Sequence, residues 1–422
     1  MATDIHRSIE AIWRIESPKL IAGLARMLRD VGQAEELAQD ALVTALERWP
    51  ETGMPDNPGA WLTTTARHRA IDQIRRNKLL DRKHEQIGYE MEAEQGDHGL
   101  ESAMDLDDDI GDDLLRLIFT ACHPVLSVEA RAALTLRLLG GLTTAEIARA
   151  YLVPEPTIAQ RIVRAKRTLA KAQVPFEVPR AEERAERLSA VLEVIYLVFN
   201  EGYAATAGED WLRPALCEDA LRLGRVLAGL MPDDPEVHGL VALMEIQASR
   251  LHARVDARGE PVLLLDQNRA QWDRLLIRRG LSELARAEKL GGTGVYVLQA
   301  KIAACHARAL DAGQTDWNRI AELYAQLASI APSPIIELNR AVAVAMAQGP
   351  ARGLAIVDAL RDEPLLENYH LLPSVRGDLL GKLGRNKEAR AEFERAASLA
   401  RNARERALLL KRAEECGTQG GS

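Results

Sequence analysis

The sequence predicts an all-α chain in which two small helical modules precede a long helical-repeat domain. Hydrophobic residues make up 47% of its 422 residues but aromatic residues only 4%, and Ala, Leu, Arg and Glu dominate, which favours helices over sheets. Apolar residues recur at i, i+3, i+4 spacing along nearly the whole chain, and Gly or Pro interrupts them at intervals of about one helix. The length exceeds one ordinary core. Domains of roughly 100–200 residues imply two to four units.

The first module, residues 8–80, has helical periodicity over Ile9–Leu28, Ala34–Trp49 and Ala60–Arg76, bounded by Asp30, Gly32 and the Pro50–Pro58 segment. Residues 81–111 follow, polar and acidic with Gly88, Gly96 and Gly99, and read as a flexible linker. The second module spans 112–172 and is closed by the Val174-Pro175 to Pro179 segment, after which a helix starts at Ala181. From 185 to 416 helix follows helix, with breaks at Gly208, Pro232, Gly259, Gly291, Pro332 and Pro364. Gly313, Gly349 and Gly384 each end one alanine-rich helix and precede another, close to the roughly 34-residue period of a tetratricopeptide repeat. In the last copy, small Gly377 and Ala389 among large Leu379, Leu380, Leu383 and Phe393 leave room for a neighbouring helix. A generic helical bundle is the alternative.

Composition and motifs also exclude. No apolar run reaches the roughly 18 residues of a membrane span, and Met1–Glu10 lacks a signal pattern, so a cytoplasmic protein without a membrane partner is expected. Cys122, Cys217, Cys305 and Cys416 lie far apart, which indicates neither a disulfide framework nor a zinc site. There is no P-loop, GxSxG or HExxH, so no enzyme and no cofactor is expected. The adjacent pairs Cys122-His123 and Cys305-His306 read as packing or a local turn rather than as nucleophiles. A net charge of -8 argues against coating nucleic acid by bulk electrostatics. Charge is nevertheless local: Arg67–Lys83 and Arg161–Lys171 are basic, Glu90–Asp113 acidic.

Leu142–Leu169 reads as a helix-turn-helix. Thr143 can cap the first helix and Glu146 can close the capping box, while Ile147, Ala148, Val153, Ile158 and Ile162 form a small core that fixes the helix angle. The second helix carries Gln160, Arg161, Arg164, Lys166 and Arg167 against a lone Glu155, with Thr157 in its free N-terminal turn. Arginine pairs bidentately with guanine and glutamine with adenine in the major groove, whereas the lysine and later arginines suit phosphates.

On these residues the chain resembles the extracytoplasmic-function sigma factors, with this module similar to region four, which reads the minus-35 promoter element. Ala34-Glu35-Glu36-Leu37-Ala38-Gln39-Asp40-Ala41-Leu42 resembles the region-two helix that docks on the beta-prime coiled coil of RNA polymerase, and Pro58-Gly59-Ala60-Trp61-Leu62 through Arg76 the helix behind the minus-10 reading loop. Glu36, Gln39 and Asp40 lie on neighbouring turns and offer acceptors to a basic partner. The resemblance implies three partners: promoter DNA, and on the polymerase core the beta-prime coiled coil and the beta flap. It further implies a base-capturing loop at Trp49–Asn57, with Asn57, Thr64, Arg67, His68, Arg75 and Arg76 as minus-10 contacts and the arginines on phosphates. Trp61 reads as core rather than a stacking platform.

Two departures stand out. Ala159 occupies a place where region four often carries a basic residue, so an unusual minus-35 preference is expected, and Pro50, Pro55 and Pro58 make the capturing loop stiff. The resemblance covers about residues 8–172. Beyond it, Tyr196-Leu197-Val198-Phe199-Asn200-Glu201-Gly202-Tyr203 and Leu338-Asn339-Arg340-Ala341-Val342-Ala343 resemble a subgroup with a tetratricopeptide-like extension, for which a regulatory role or a protein partner is implied. A second reading takes Asn200–Tyr203 as a polar break lining a ligand pocket, which makes the chain a ligand- or partner-sensing DNA-binding regulator independent of polymerase.

Overall fold

Alanine sets how closely the first helices approach. In a computed structural model, which describes residues 2–86, 110–151, 153–204, 212–257 and 259–418, the chain opens with α1 (Ala2–Leu28), α2 (Val31–Thr52) and α3 (Pro58–Gln86). Ala34, Ala38, Ala41 and Ala45 recur at helical spacing on α2 and are fully buried, so Ile21 and Leu24 of α1 and Leu62, Ala66 and Ala70 of α3 close against a flat seam. Trp49 ends the seam at 1% exposure, with Trp61 edge-on at 5.3 Å, the packing role expected for Trp61.

Next come α4 (Ile110–Ala121), α5 (Val128–Leu138), α6 (Thr144–Tyr151), α7 (Glu155–Lys171) and α8 (Ala181–Tyr203). Leu117, Ile118 and Phe119 of α4 are buried, and α4 packs on α1. Compact units comprise Met1–Ile195 and Tyr196–Ser422, so the division falls inside α8. The second unit continues with α9 (Pro214–Leu230), α10 (Pro235–Ala248), α11 (Arg274–Lys289), α12 (Val295–Arg308), α13 (Trp317–Ile330), α14 (Pro334–Gln348), α15 (Pro350–Ala359), α16 (Leu371–Lys382), α17 (Asn386–Leu399) and α18 (Ala403–Thr418). Among the described residues no strand forms and β pairing is limited to isolated bridges such as Val255 to Pro261, so the fold is all-α as the sequence predicts.

From Trp317 onward each helix packs on the next, from α13 through α18. Gly349 (φ +99°) closes α14 and admits α15, and Gly384 (φ +74°) stands before α17, as their spacing predicts. At Gly377 a Cβ would lie 3.1 Å from the Phe393 ring and 3.2 Å from the Ala389 carbonyl, so the expected small-residue contact forms. Leu379, Leu380 and Phe393 are buried there, but Leu383 caps α16 and is 38% exposed.

Several sequence expectations are corrected. The loop expected from Trp49 begins only at Gly53, because α2 runs through Pro50 to Thr52; a proline in a last turn removes one ladder bond, and buried Trp49 anchors that turn and accepts from the Gly53 N–H at 3.0 Å. Of the linker expected over 81–111, residues 81–86 extend α3, since Arg82, Lys83, Glu85 and Gln86 are good helix formers with no breaker among them. Residues 87–109 and Gly208 lie outside the described residues. Asn200–Tyr203 is no break but the last turn of α8, where Phe199 is fully buried and Glu201 pairs with Arg213. Between α10 and α11, by contrast, the chain leaves the α-helical pattern for two 3-10 turns, Leu251–Ala253 and Arg269–Gln271.

Gly202 allows α9 to meet α8. A Cβ there would lie 2.7 Å from the Cys217 nitrogen and 2.9 Å from the Arg213 carbonyl, both backbone atoms, whereas Gly229 of α9 has nothing within 4 Å. Gly202→Ala should therefore lower the unfolding free energy by about 1–3 kcal/mol through overpacking, while Gly229→Ala should leave it unchanged or raise it by up to ~1 kcal/mol through helix propensity. Urea titrations of the two variants read the contrast.

Candidate nucleic-acid and polymerase interface

The helix-turn-helix forms from local signals. The Glu146 N–H donates to Thr143 Oγ1 at 3.2 Å while Glu146 Oε2 accepts from the Thr143 N–H at 2.8 Å, which makes the reciprocal capping box at the start of α6. Ile147, Ala148, Ile158 and Ile162 are buried and Val153 half-buried beneath the turn. On α7, Thr157, Gln160, Arg164 and Arg167 are exposed and Arg161 is half-buried. Thr157, Gln160, Arg161 and Arg164 share one groove with Ser127 and Glu129 at the start of α5, where Arg161 acts on the Glu129 carboxylate. Four of the six α7 candidates thus meet on one surface.

Lys166 does not join them. It turns inward to pair with Glu35 of α2, since a position five residues beyond Arg161 falls on the opposite side of the helix.

On the region-two side, Asn57 precedes and caps α3, its Oδ1 accepting from the Ala60 N–H at 3.0 Å. Asn57, Thr64 and Arg67 open onto a cleft between α3 and α1, floored by Leu20 and Leu24 with Glu16 and Lys19 at its rim. His68, Arg75 and Arg76 are exposed farther round α3 and toward its C-terminal end. On α2, Glu36 and Asp40 are exposed, and Asp40 is 3.5 Å from Arg69 of α3. Gln39 is half-buried and donates to Glu35, so its amide is already engaged within the chain.

Glu35 is the residue that sequence reasoning missed. It is 3% exposed, accepts from Arg137 Nε of α5 at 2.6 Å and pairs with Lys166 of α7. Its one sequence signal is register: seven residues before half-buried Leu42, it sits on the same inward edge of α2. Burial would raise its pKa, but the two cations and their hydrogen bonds outweigh that and hold the carboxyl below the usual glutamate range. Arg137 also donates to the Leu142 carbonyl at 3.1 Å, at the entry to α6. A second tie joins Arg14 of α1 to Glu146 at 2.5 Å, and a third joins Arg26 of α1 to buried Asp113 of α4 at 3.1 Å. Gly141 (φ +70°) fits under α1, where a Cβ would meet the Arg14 Cα at 3.1 Å.

The cysteine–histidine pairs are shifted away from nucleophilic chemistry. Burial pushes the Cys122 thiol up to about 11, where it meets the Thr135 hydroxyl, and desolvation takes His123 down to about 4. Burial also raises Cys305, and His306 falls to about 3. Among the described residues no three His, Cys, Asp or Glu are grouped as a metal site, and no helix is long and apolar enough to cross a membrane.

Known proteins match along the same divisions. The sigma-70 region 2 family matches residues 13–79 and the sigma-70 region 4 family residues 116–169. The ECF RNA polymerase sigma factor SigK of Mycobacterium ulcerans is 33% identical over 153 residues, 35% of this chain and 75% of that one. This chain belongs to the ECF sigma factors. SigK of Mycobacterium tuberculosis (strain H37Rv) is 32% identical over 151 residues, 34% of this sigma factor and 74% of its own length. The remaining length also has relatives: a family of unknown function (DUF6596) matches residues 187–288, and an uncharacterized protein of Rhizobium meliloti (strain 1021) is 44% identical over 393 residues, 93% of this chain and 92% of that one. No solved structure matches. Sigma factors bind core polymerase and promoter DNA, so α7 and α3 carry their basic residues on the two modules the family uses.

Because the folded-state pKa of Glu35 is depressed, its contribution to stability is complete above the ordinary glutamate value and is lost as the pH falls through the lower folded value. Glu35→Gln should cost about 3 kcal/mol at pH 7, as when one partner of a buried pair is removed. It should also flatten the loss of stability below about pH 4.5. Denaturant unfolding between pH 7 and pH 3 measures both; an acid limb as steep as the wild type's would remove Glu35 from that role.

Proposed function

We propose that this sigma factor directs polymerase to promoters through a division of labour. Residues 8–80 engage the core through Glu36, Gln39 and Asp40 and the minus-10 element through Asn57, Thr64, Arg67, His68, Arg75 and Arg76. Residues 112–172 read the minus-35 element through Thr157, Gln160, Arg161, Arg164 and Arg167, with region four also meeting the beta flap. The observation that carries the reading is the α7 face, where Thr157, Gln160, Arg161 and Arg164 converge at the exposed end of a capped helix-turn-helix. The domain over 185–416 is tetratricopeptide-like and restrains the other two or binds a protein partner. Helix pairs beginning at Trp317, Pro350 and Asn386, near a 34-residue period, support this.

Lys166 has a separate part in this scheme. The two promoter elements lie about 25 base pairs apart, or roughly 85 Å along B-DNA at ~3.4 Å per pair. Helices α2 and α7 instead touch through Glu35 and Lys166. The closed arrangement therefore reads one element at a time, and binding both requires the seam to open. On opening, Lys166 and Arg137 lose their carboxylate, and Lys166 becomes free for phosphate.

Arg161→Ala combined with Arg164→Ala should reduce run-off transcription from a cognate promoter by at least about tenfold, since each base contact carries roughly 1–3 kcal/mol, and leave affinity for core polymerase unchanged. Transcription that persists in the double variant removes α7 as the reading helix. Failure of the wild-type chain to bind core would instead favour the polymerase-independent regulator.

A further inference from the structure

Where α10 ends, the chain places two arginines in a half-buried position. Arg250 and Arg254 flank the 3-10 turn Leu251–Ala253, and Arg269 returns from the next turn just before Trp272. Guanidinium carbons stand 5.7 Å (Arg250) and 3.9 Å (Arg254) from the Tyr203 ring centre, and 5.6 Å (Arg250) and 5.0 Å (Arg269) from that of Trp272. Arg269 is accounted for: it donates to the carbonyls of His306 and Ala309 at 2.7 and 2.9 Å and to the Thr315 hydroxyl at 2.9 Å. Arg250 is not. Its guanidinium touches the two rings and finds no hydrogen-bond acceptor among the described residues.

Among the described residues no carboxylate pairs with it. Arg250 acts on Tyr196, Arg254, Arg269, His306 and Tyr324, from α8, α12, α13 and the 249–273 segment. Asp311 acts on Arg269, and Glu201, the nearby acid of α8, pairs with Arg213. His306 is neutral, so it adds no charge, and its Nδ1 is buried without a hydrogen-bond partner, as are the Trp272 indole N–H and Gln247 Oε1. Half-buried arginines acting on one another, together with buried polar atoms left unpaired, are costly unless a further group supplies the missing charge and hydrogen bonds.

We infer that Arg250, held between the Tyr203 and Trp272 rings, is the anion-binding group of a ligand site for a small molecule bearing a phosphate or a carboxylate. The planar fork of arginine meets either oxyanion bidentately, and the rings fix its plane. The indole N–H of Trp272 supplies a neutral donor beside it. Tyr203, Arg250, Arg254, Arg269 and Trp272 all fall within residues 187–288, the stretch shared with the family of unknown function and outside both sigma regions. This assigns chemistry to the half of the chain that neither promoter reading nor polymerase docking uses.

Thermal unfolding of the full chain in sodium phosphate, sodium citrate and sodium chloride at one ionic strength tests the site. One oxyanion should raise the midpoint saturably, by roughly 5 °C at a hundredfold excess over its dissociation constant, where chloride does not. Response to phosphate alone assigns a phosphate ligand, and response to citrate alone a carboxylate. Arg250→Gln should abolish the response, and Arg250→Lys, which keeps the charge without the fork, should weaken apparent affinity about tenfold. No saturable shift with either oxyanion, or the same shift in the wild type and both variants, overturns the assignment.

Discussion

The arrangement of the promoter-reading half depends on one buried carboxylate. Glu35 sits beside an alanine seam that has no polar partner of its own, so it takes its charge balance from Arg137 and Lys166, on helices more than a hundred residues away in sequence. A carboxylate removed from water without those cations would be strongly unfavourable, and either cation left alone beside apolar helices would be little better. Three helices are thereby tied together: α2, which carries the proposed polymerase-docking surface, α5, which supports the turn, and α7, which carries the proposed reading face. Arg14 with Glu146 and Arg26 with Asp113 repeat the pattern on α1, beside the apolar packing of α4 on α1.

The ion pairs have a mechanical consequence. Opening the α1–α4 packing would cost surface exposure, whereas the paired charges of Glu35, Arg137 and Lys166 can exchange one another for water or for phosphate. The C-terminal half, like the alanine seam of α2, brings helices together through small residues, Gly202 against α9 and Gly377 against Phe393, at distances that leave no room for a methyl group without movement. Its unpaired polarity is concentrated around Arg250 rather than spread along helix seams.

Local features were legible in the sequence. The capping box at Thr143 and Glu146 and the core beneath the turn were readable because they depend on residues three or four apart, and the same holds for the small-residue contact at Gly377 and the breaks at Gly349 and Gly384. Long-range pairing was not readable. Lys166 looked like one more basic residue on α7, because nothing local to it marks the buried Glu35 on α2. Gln39 looked like a free acceptor because the burial of Glu35 one turn before it depends on the distant cations Lys166 and Arg137. Proline at 50 was read as a breaker, yet burial of Trp49 carries the helix past it, and Asn200–Tyr203 stayed helical because Glu201 found Arg213 and Gly202 admitted α9. The break read at Gly259 is real, but its extent from the end of α10 at Ala248 to the start of α11 at Arg274 was not legible from that one glycine.

The closed seam and its opening can be observed directly as a distance. Labels at exposed Glu47 of α2 and Lys171 of α7 report the separation of the two modules by pulsed electron resonance. The free chain should give a short, single distribution, and the complex with core polymerase and promoter DNA one longer by tens of ångströms, as the roughly 85 Å between promoter elements demands. A distance that stays unchanged in the promoter complex, or that is already long in the free chain, would contradict the account.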